Sequence, residues 1–431
     1  MNRWIGGGTR TLGRWMAFCL VLLLCGPALG WGAQLNLASD TLVRVFDREI
    51  PGNRSDLAVP GYEYLQIDAG SLNERGLSFH LYGWGRADLA GSDYFEKDTA
   101  GELLYGYLEY TRAFSDLNLR LGRQAIFEGV SNESVDGLRV SSDLGRWIAI
   151  SLYGGQPVAL DAKNGRDGDA IWGGRLSHHL GSRYDIGVSY QDIRNDSKTE
   201  EQRLGIDASL ALTDSIGIYG ASVRNLDTEG WAEHAWELRW DLAAFQLRPF
   251  YRQVQYDDYF NAGVQSANPF RFLQLTAETL TSYGADASWR PSSSWELGVS
   301  AKAYEYNRAS GNPAYLSGLL TWNGQGMTQV GGELGFLEGD DITTNYVLSR
   351  IYAYLDQVAM LGGGFVSGDL IYVNYDRPVF GKDHSLFASL GVGRSFLNQA
   401  LTLSLTADYS QDPYFDNDLR GMLVAKYRYT R

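Results

Sequence analysis

Five histidines, His80, His178, His179, His234 and His384, are the side chains of this 431-residue chain best suited to hold a metal or move a proton. None is spaced for either task. No His-Glu-x-x-His pair, no Gly-x-Ser-x-Gly elbow and no phosphate-cradling glycine motif occurs. His178 and His179 are adjacent, and adjacent residues of a strand point to opposite faces, so they cannot chelate as a unit. Both cysteines, Cys19 and Cys25, fall near the N-terminus inside a segment expected to be removed, which excludes disulfides, thiolate metal sites and Cys-x-x-Cys-His haem attachment from the mature chain. The acidic runs Glu338–Asp341 and Asp412–Asp418 lack the ligand spacing of a defined calcium site and read as solvated loops. The expectation is no catalytic set, no metal and no cofactor.

Charge in alternate positions carries more. Glu237, Arg239 and Asp241 share one parity, and Arg248 and Arg252 share the parity of the next segment. Arg86 with Asp88, and Arg203 with Asp207, repeat the arrangement elsewhere. Acidic and basic walls facing each other across water orient dipolar solutes and set ion preference. The same residues could instead form an internal salt-bridge network that stiffens a wide barrel. Both readings stay open at this stage. The segment Asp257–Glu278 is the longest connection, and its Phe260, Phe270, Arg271 and Phe272 are candidates for an inward constriction, the alternative being an outward cap.

The elements that must position these residues are strands. Leu204, Ile206, Ala208 and Leu210 oppose Arg203, Asp207 and Ser209; Leu401, Leu403, Leu405 and Ala407 oppose Thr402, Ser404, Thr406 and Asp408. This period of two recurs from Asp40 to Arg431 and gives each segment one apolar and one polar face. Tight connections near Ser115–Asp116, Gly181–Ser182, Thr213–Asp214, Ser292–Ser294 and Asn398–Gln399 alternate with longer polar ones, among them Glu128–Val135, Pro157–Gly168 and Asn195–Glu201. Short turns on one rim and long loops on the other are how transmembrane barrels are built. The prediction is an all-β, antiparallel up-and-down transmembrane barrel of about 22 strands, within a range of 18–22. Pro249 falls inside a predicted strand and marks its weakest hairpin.

Arg3, Arg10 and Arg14 precede the apolar run Met16–Leu24 and small residues around Gly30–Ala33. That order is a secretory signal peptide, so residues 1–33 are expected to be cleaved, with the boundary between 30 and 33, and 34–431 to form a single barrel. Removing the three arginines leaves 34 basic against 51 acidic residues, about −17, which argues against a nucleic-acid partner. In hydrocarbon every backbone polar group must be paired, so the sheet must close, with its apolar face to lipid and its polar face to the lumen. Tyr and Trp outnumber Phe by 39 to 17, as interface belts require.

Leu119-Arg-Leu-Gly-Arg-Gln124, a turn-rich stretch, and Val135-Asp-Gly-Leu-Arg139 resemble a hairpin of Gram-negative outer-membrane porins, over about a tenth of the chain. The resemblance implies an outer-membrane location reached through the periplasm, and a channel for ions or small solutes. Lipopolysaccharide and the barrel-insertion machinery, the latter reading the C-terminal strand, are the implied partners. Arg123 shares the apolar parity of Leu117–Leu121, so a barrel needs it at a rim or bulge. Leu81-Tyr-Gly-Trp-Gly85 more faintly resembles the porin subunits of porin–cytochrome conduits, where the barrel is a sleeve around a multihaem cytochrome. A barrel closed by its own side chains is the third alternative, weakened because about 22 strands enclose more space than side chains fill.

Overall fold

A strand with one apolar and one polar side pairs most simply with its sequence neighbour, and this chain does so throughout. The computed structural model describes residues 34–48, 56–72, 74–91, 94–113, 116–158, 169–259, 278–308, 312–339, 345–413 and 417–431. It contains twenty-two long strands and one three-residue segment, every ladder antiparallel. The first half runs β1 (Gln34–Arg48), β2 (Asp56–Ala58), β3 (Pro60–Gly70), β4 (Gly76–Asp88), β5 (Thr99–Thr111), β6 (Asn118–Glu128), β7 (Ser131–Leu144), β8 (Ile148–Pro157), β9 (Asp169–Leu180), β10 (Tyr184–Asn195) and β11 (Lys198–Ala211). The second half runs β12 (Ile216–Asn225), β13 (Trp231–Leu242), β14 (Phe245–Gln255), the four-residue helix α1 (Tyr256–Tyr259), β15 (Thr279–Ser292), β16 (Trp295–Tyr306), β17 (Ala314–Asn323), β18 (Gln329–Glu338), β19 (Tyr346–Val358), β20 (Gly364–Val379), β21 (Lys382–Phe396), β22 (Leu401–Gln411) and β23 (Asp418–Thr430). The segment β2 extends the pairing of β3 with β1.

Closure is made by β1 against β23, from Asn36 opposite Thr430 to Phe46 opposite Arg420. Closing the sheet removes both edges, which is what hydrocarbon demands. The outward set is apolar: Val188, Leu204, Ile206, Leu297, Val299 and Leu405 are all well exposed. At the short-turn rim Trp240, Trp289, Trp295 and Trp322 also point outward and form an aromatic belt.

Two connections are shorter than their composition suggests. Asn195–Glu201 is a two-residue turn, Asp196–Ser197, and Glu128–Val135 is a turn at Gly129–Val130, with strand continuing on either side of each. Alternation fades there because neither face of these tips meets lipid. Pro249 does lie within β14, and the β13–β14 ladder skips from Glu237–Phe250 to Trp240–Leu247, whereas the β14–β15 ladder runs unbroken through Pro249–Ala285. A residue without an N–H loses its bond on one side only. The expected signal segment lies outside the described residues.

Candidate functional site

One hairpin leaves the wall. The β5–β6 ladder stops at Gly106–Arg123, although β6 and β7 stay paired to their tip at Glu128–Ser131. On the other side the β7–β8 ladder begins only at Val135–Pro157. The tip then turns inward: the Val130 amide donates to Ser189 Oγ at 3.0 Å on β10, and Val130 sits against the inner side of Gly205 on β11. Only the lumen connects this tip to strands several places around the wall, so these contacts fix which face is inside. Arg139 Nη2 bonds the Glu128 carboxylate at 2.9 Å. In a flat hairpin Glu128 stands opposite Ser131 while Arg139 stands opposite Arg120. That offset is eight residues, roughly 26 Å at strand rise, beyond the reach of the two side chains. The hairpin is folded back into the barrel.

The bend has local causes. Gly122 takes φ +128°, a conformation that L side chains rarely adopt, and a Cβ there would approach Tyr107 Cα to 2.9 Å. Opposite it, Gly137 packs so closely on β8 that a Cβ would come 2.8 Å from Gly155 Cα. Outside the bend Arg123 forks onto Asp136 through two bonds of 2.8 Å and donates Nη1 to the Leu103 carbonyl at 2.9 Å. Arg123 thus has the outward parity expected of it and sits where the wall breaks. Inside, the buried Gln124 donates to the Gly137 carbonyl at 3.2 Å. The residues that resemble a porin hairpin are therefore the hinge.

Beneath the folded hairpin lies an apolar seat of Ile126, Val135, Tyr153, Ile171 and Ile193. Ile126, Ile171 and Ile193 are each only 1% exposed. Ile126→Ala is expected to remove about 2–4 kcal/mol of this seating, seen as flicker between two conductance levels where the parent shows one; a steady record with parental amplitude would show the seat does not hold the tip.

Register carries the inside assignment around the barrel, and all nine charged residues singled out from the sequence stand on the inward parity. They occur mainly as pairs. Arg248 bonds Glu237 at 2.9 and 3.0 Å, and Arg239 pairs with Asp241 at 2.8 Å. Arg252 takes Glu233 at 2.7 Å, a partner the alternation did not single out. Arg203 pairs with Glu201 at 2.8 Å, and Asp207 receives Arg175, which also reaches Asp185. Arg86 donates to the Lys97 carbonyl at 2.9 Å and lies 3.7 Å from the Phe95 ring centroid; Asp88 accepts from the Ala90 amide at 3.1 Å. Arg239, Arg248 and Arg252 keep about half their side-chain surface open, so each pair adds little stability.

Phe260, Phe270, Arg271 and Phe272 lie outside the described residues. The helix α1 just before them turns inward: Arg203 Nη2 donates to the Tyr259 carbonyl and Asn225 Nδ2 to that of Asp258, each at 2.8 Å. Among the described residues no group of three or more His, Cys, Asp or Glu is placed to hold a metal. Arg175, Glu233 and the Ile126 seat went unpredicted; the seat had a sequence signal, since Ile126 shares parity with Arg120 and Gln124, and Ile193 with Ser189 and Gln191.

No protein-family model matches the sequence, and no curated protein does. Solved structures match in fold. OccAB4 of Acinetobacter baumannii is 9% identical, with 93% of this chain and 98% of that one covered and a TM-score of 0.48. A BenF-like porin from Pseudomonas fluorescens Pf-5 is 12% identical over 94% and 100%, with a TM-score of 0.46. The translocation pore of the P pilus usher PapC is 10% identical over 92% and 99%, with a TM-score of 0.50.

Proposed function

We propose that this chain is a channel of the Gram-negative outer membrane, passing ions or small polar solutes through a mixed-charge lumen narrowed by the β6–β7 hairpin. The carrying observation is that hairpin: a closed polar barrel whose own wall supplies an inward constriction is organised for passage rather than for packing solid. Residues 1–33 would direct export through the periplasm. The same hairpin stands against the sleeve alternative, because it occupies space a cytochrome would need. The apolar exterior leaves lipid as the barrel's surroundings, with lipopolysaccharide at the long-loop rim.

Planar-bilayer recording tests the proposal. The purified mature chain is expected to insert in discrete, reproducible current steps; a barrel that inserts without conducting would overturn it. Converting both Arg239 and Arg248 to glutamate leaves Glu237, Asp241 and two new carboxylates along one strip of wall, so the reversal potential in a salt gradient is expected to move toward the cation limit. An unchanged reversal potential would remove the β13–β14 hairpin from the ion path.

A further inference from the structure

The wall formed by β3, β4 and β5 carries a continuous line of rings on its inward face. Tyr62 and Trp84 lie with centroids 6.4 Å apart near the long-loop end. Next down the strands come Tyr64 and Tyr82 at 6.5 Å, and Tyr82 and Tyr105 at 5.5 Å. Tyr107 follows, 5.7 Å from Tyr105. Register places all six on the inward parity. Successive rows are two residues apart, roughly 6.6 Å along a strand, so the rings form a line down the lumen. At its upper end Tyr94 meets Phe46 at 5.3 Å and Phe95 at 4.7 Å, which carries the line to the mouth. Neighbouring rings of the line are tilted by 31–46° and none is buried, so they do not stack into a closed core.

Several charges on and beside this wall are already engaged. Arg120 bonds Glu109 at 2.8 Å and Arg428 bonds Asp40 at 2.6 Å, while Arg44 lies 5.7 Å from the centroid of the Tyr62 ring and Arg86 3.7 Å from that of Phe95. A charged solute would need a counter-charge that these pairs do not offer. What the wall does offer is flat amphipathic rings, phenolic hydroxyls and the outer lone pairs of carboxylates. A solute with apolar ring faces and a hydroxyl-rich rim fits that set.

We propose that the Tyr62–Tyr107 line is a binding track for neutral saccharides, stacking sugar rings while hydroxyls exchange hydrogen bonds with the paired charges beside it. This deepens the channel reading and rests on it. The test is single-channel current in planar bilayers with a linear glucose hexasaccharide added, against an uncharged polyethylene glycol of equal hydrodynamic size. The hexasaccharide is expected to interrupt the current in a saturable way, with a half-blocking concentration at least 10-fold below that of the polymer. A variant with Tyr82, Trp84 and Tyr105 all changed to alanine is expected to need at least 10-fold more saccharide for the same block. A variant with the two tyrosines changed to phenylalanine and Trp84 retained should stay within about threefold of the parent, because its stacking faces persist. A conducting channel that saccharide and polymer block alike, or an alanine variant with unchanged block, overturns the track and leaves the channel intact. Failure to conduct at all would instead remove the channel.

Discussion

Excising residues 125–134 and joining Gln124 to Val135 through a Gly-Gly turn is expected to raise single-channel conductance roughly two- to threefold, since the narrowest cross-section dominates the resistance of a pore. The excision should leave the wall standing. β5 pairs with β6 only as far as Arg123, and β8 pairs with β7 only from Val135, so the wall ladders keep their partners apart from the 2.8 Å bond that the Val158 amide donates to the Ser134 carbonyl just past the end of β8. What disappears is the tip at Val130, its bond to Ser189 and the Glu128–Arg139 contact that holds the hairpin folded. The solute size limit, measured by polymer exclusion, should rise with the conductance. A milder variant isolates the latch: Glu128→Gln keeps the shape and drops the charge on the Arg139 bond, and is expected to give brief openings to the higher level. Heat-modifiable migration on gels checks that each variant forms the barrel. If the excised barrel forms and conducts like the parent, the hairpin is not the constriction.

The barrel was legible in the sequence because lipid imposes one rule on every strand. Leu204 and Ile206, or Leu403 and Leu405, must alternate with polar residues wherever one side meets hydrocarbon, and the turns must sort by rim. That rule gave the strand number, the closure and the inward parity of Glu237, Arg248 and their neighbours. It says nothing where lipid is absent. Between Glu128 and Val135 both faces meet protein or water, so the alternation stops and the stretch reads as loop, although it is strand to within two residues of its tip. The fold-back was written instead as a violation: Ile126, Ile171 and Ile193 are apolar on the parity that carries Gln124, Arg175 and Gln191. The ion pairs were half legible. Parity showed the shared face, but Arg252 stands opposite Ala235 and takes Glu233 while Glu237 goes to Arg248, a division set by the register between two strands that no one-strand pattern contains.

The hinge makes the second large effect. Gly137→Ala is expected to cost about 1–3 kcal/mol or more in urea unfolding from lipid vesicles, the range for overpacking a site that cannot relax. The added Cβ would run into the Gly154 carbonyl and lie 2.8 Å from Gly155 Cα. Both are backbone of a paired strand, so no flexible side chain can move aside. The strand pair must separate locally, and the bend at Gly122 on the facing strand must open with it. Gly122→Ala adds a different strain, an L residue at φ +128°, and should act in the same direction. Gly318→Ala is the control: it sits in β17 with nothing within 4 Å of its added Cβ, and is expected to change stability by no more than about 0.5 kcal/mol. The two kinds of glycine make the claim specific. If alanine at 137 and at 318 cost the same, the loss belongs to glycine in strands generally. If only 137 is costly, and conductance in that variant shifts toward the level of the excised hairpin, the close approach of β7 to β8 is what turns the hairpin into the lumen.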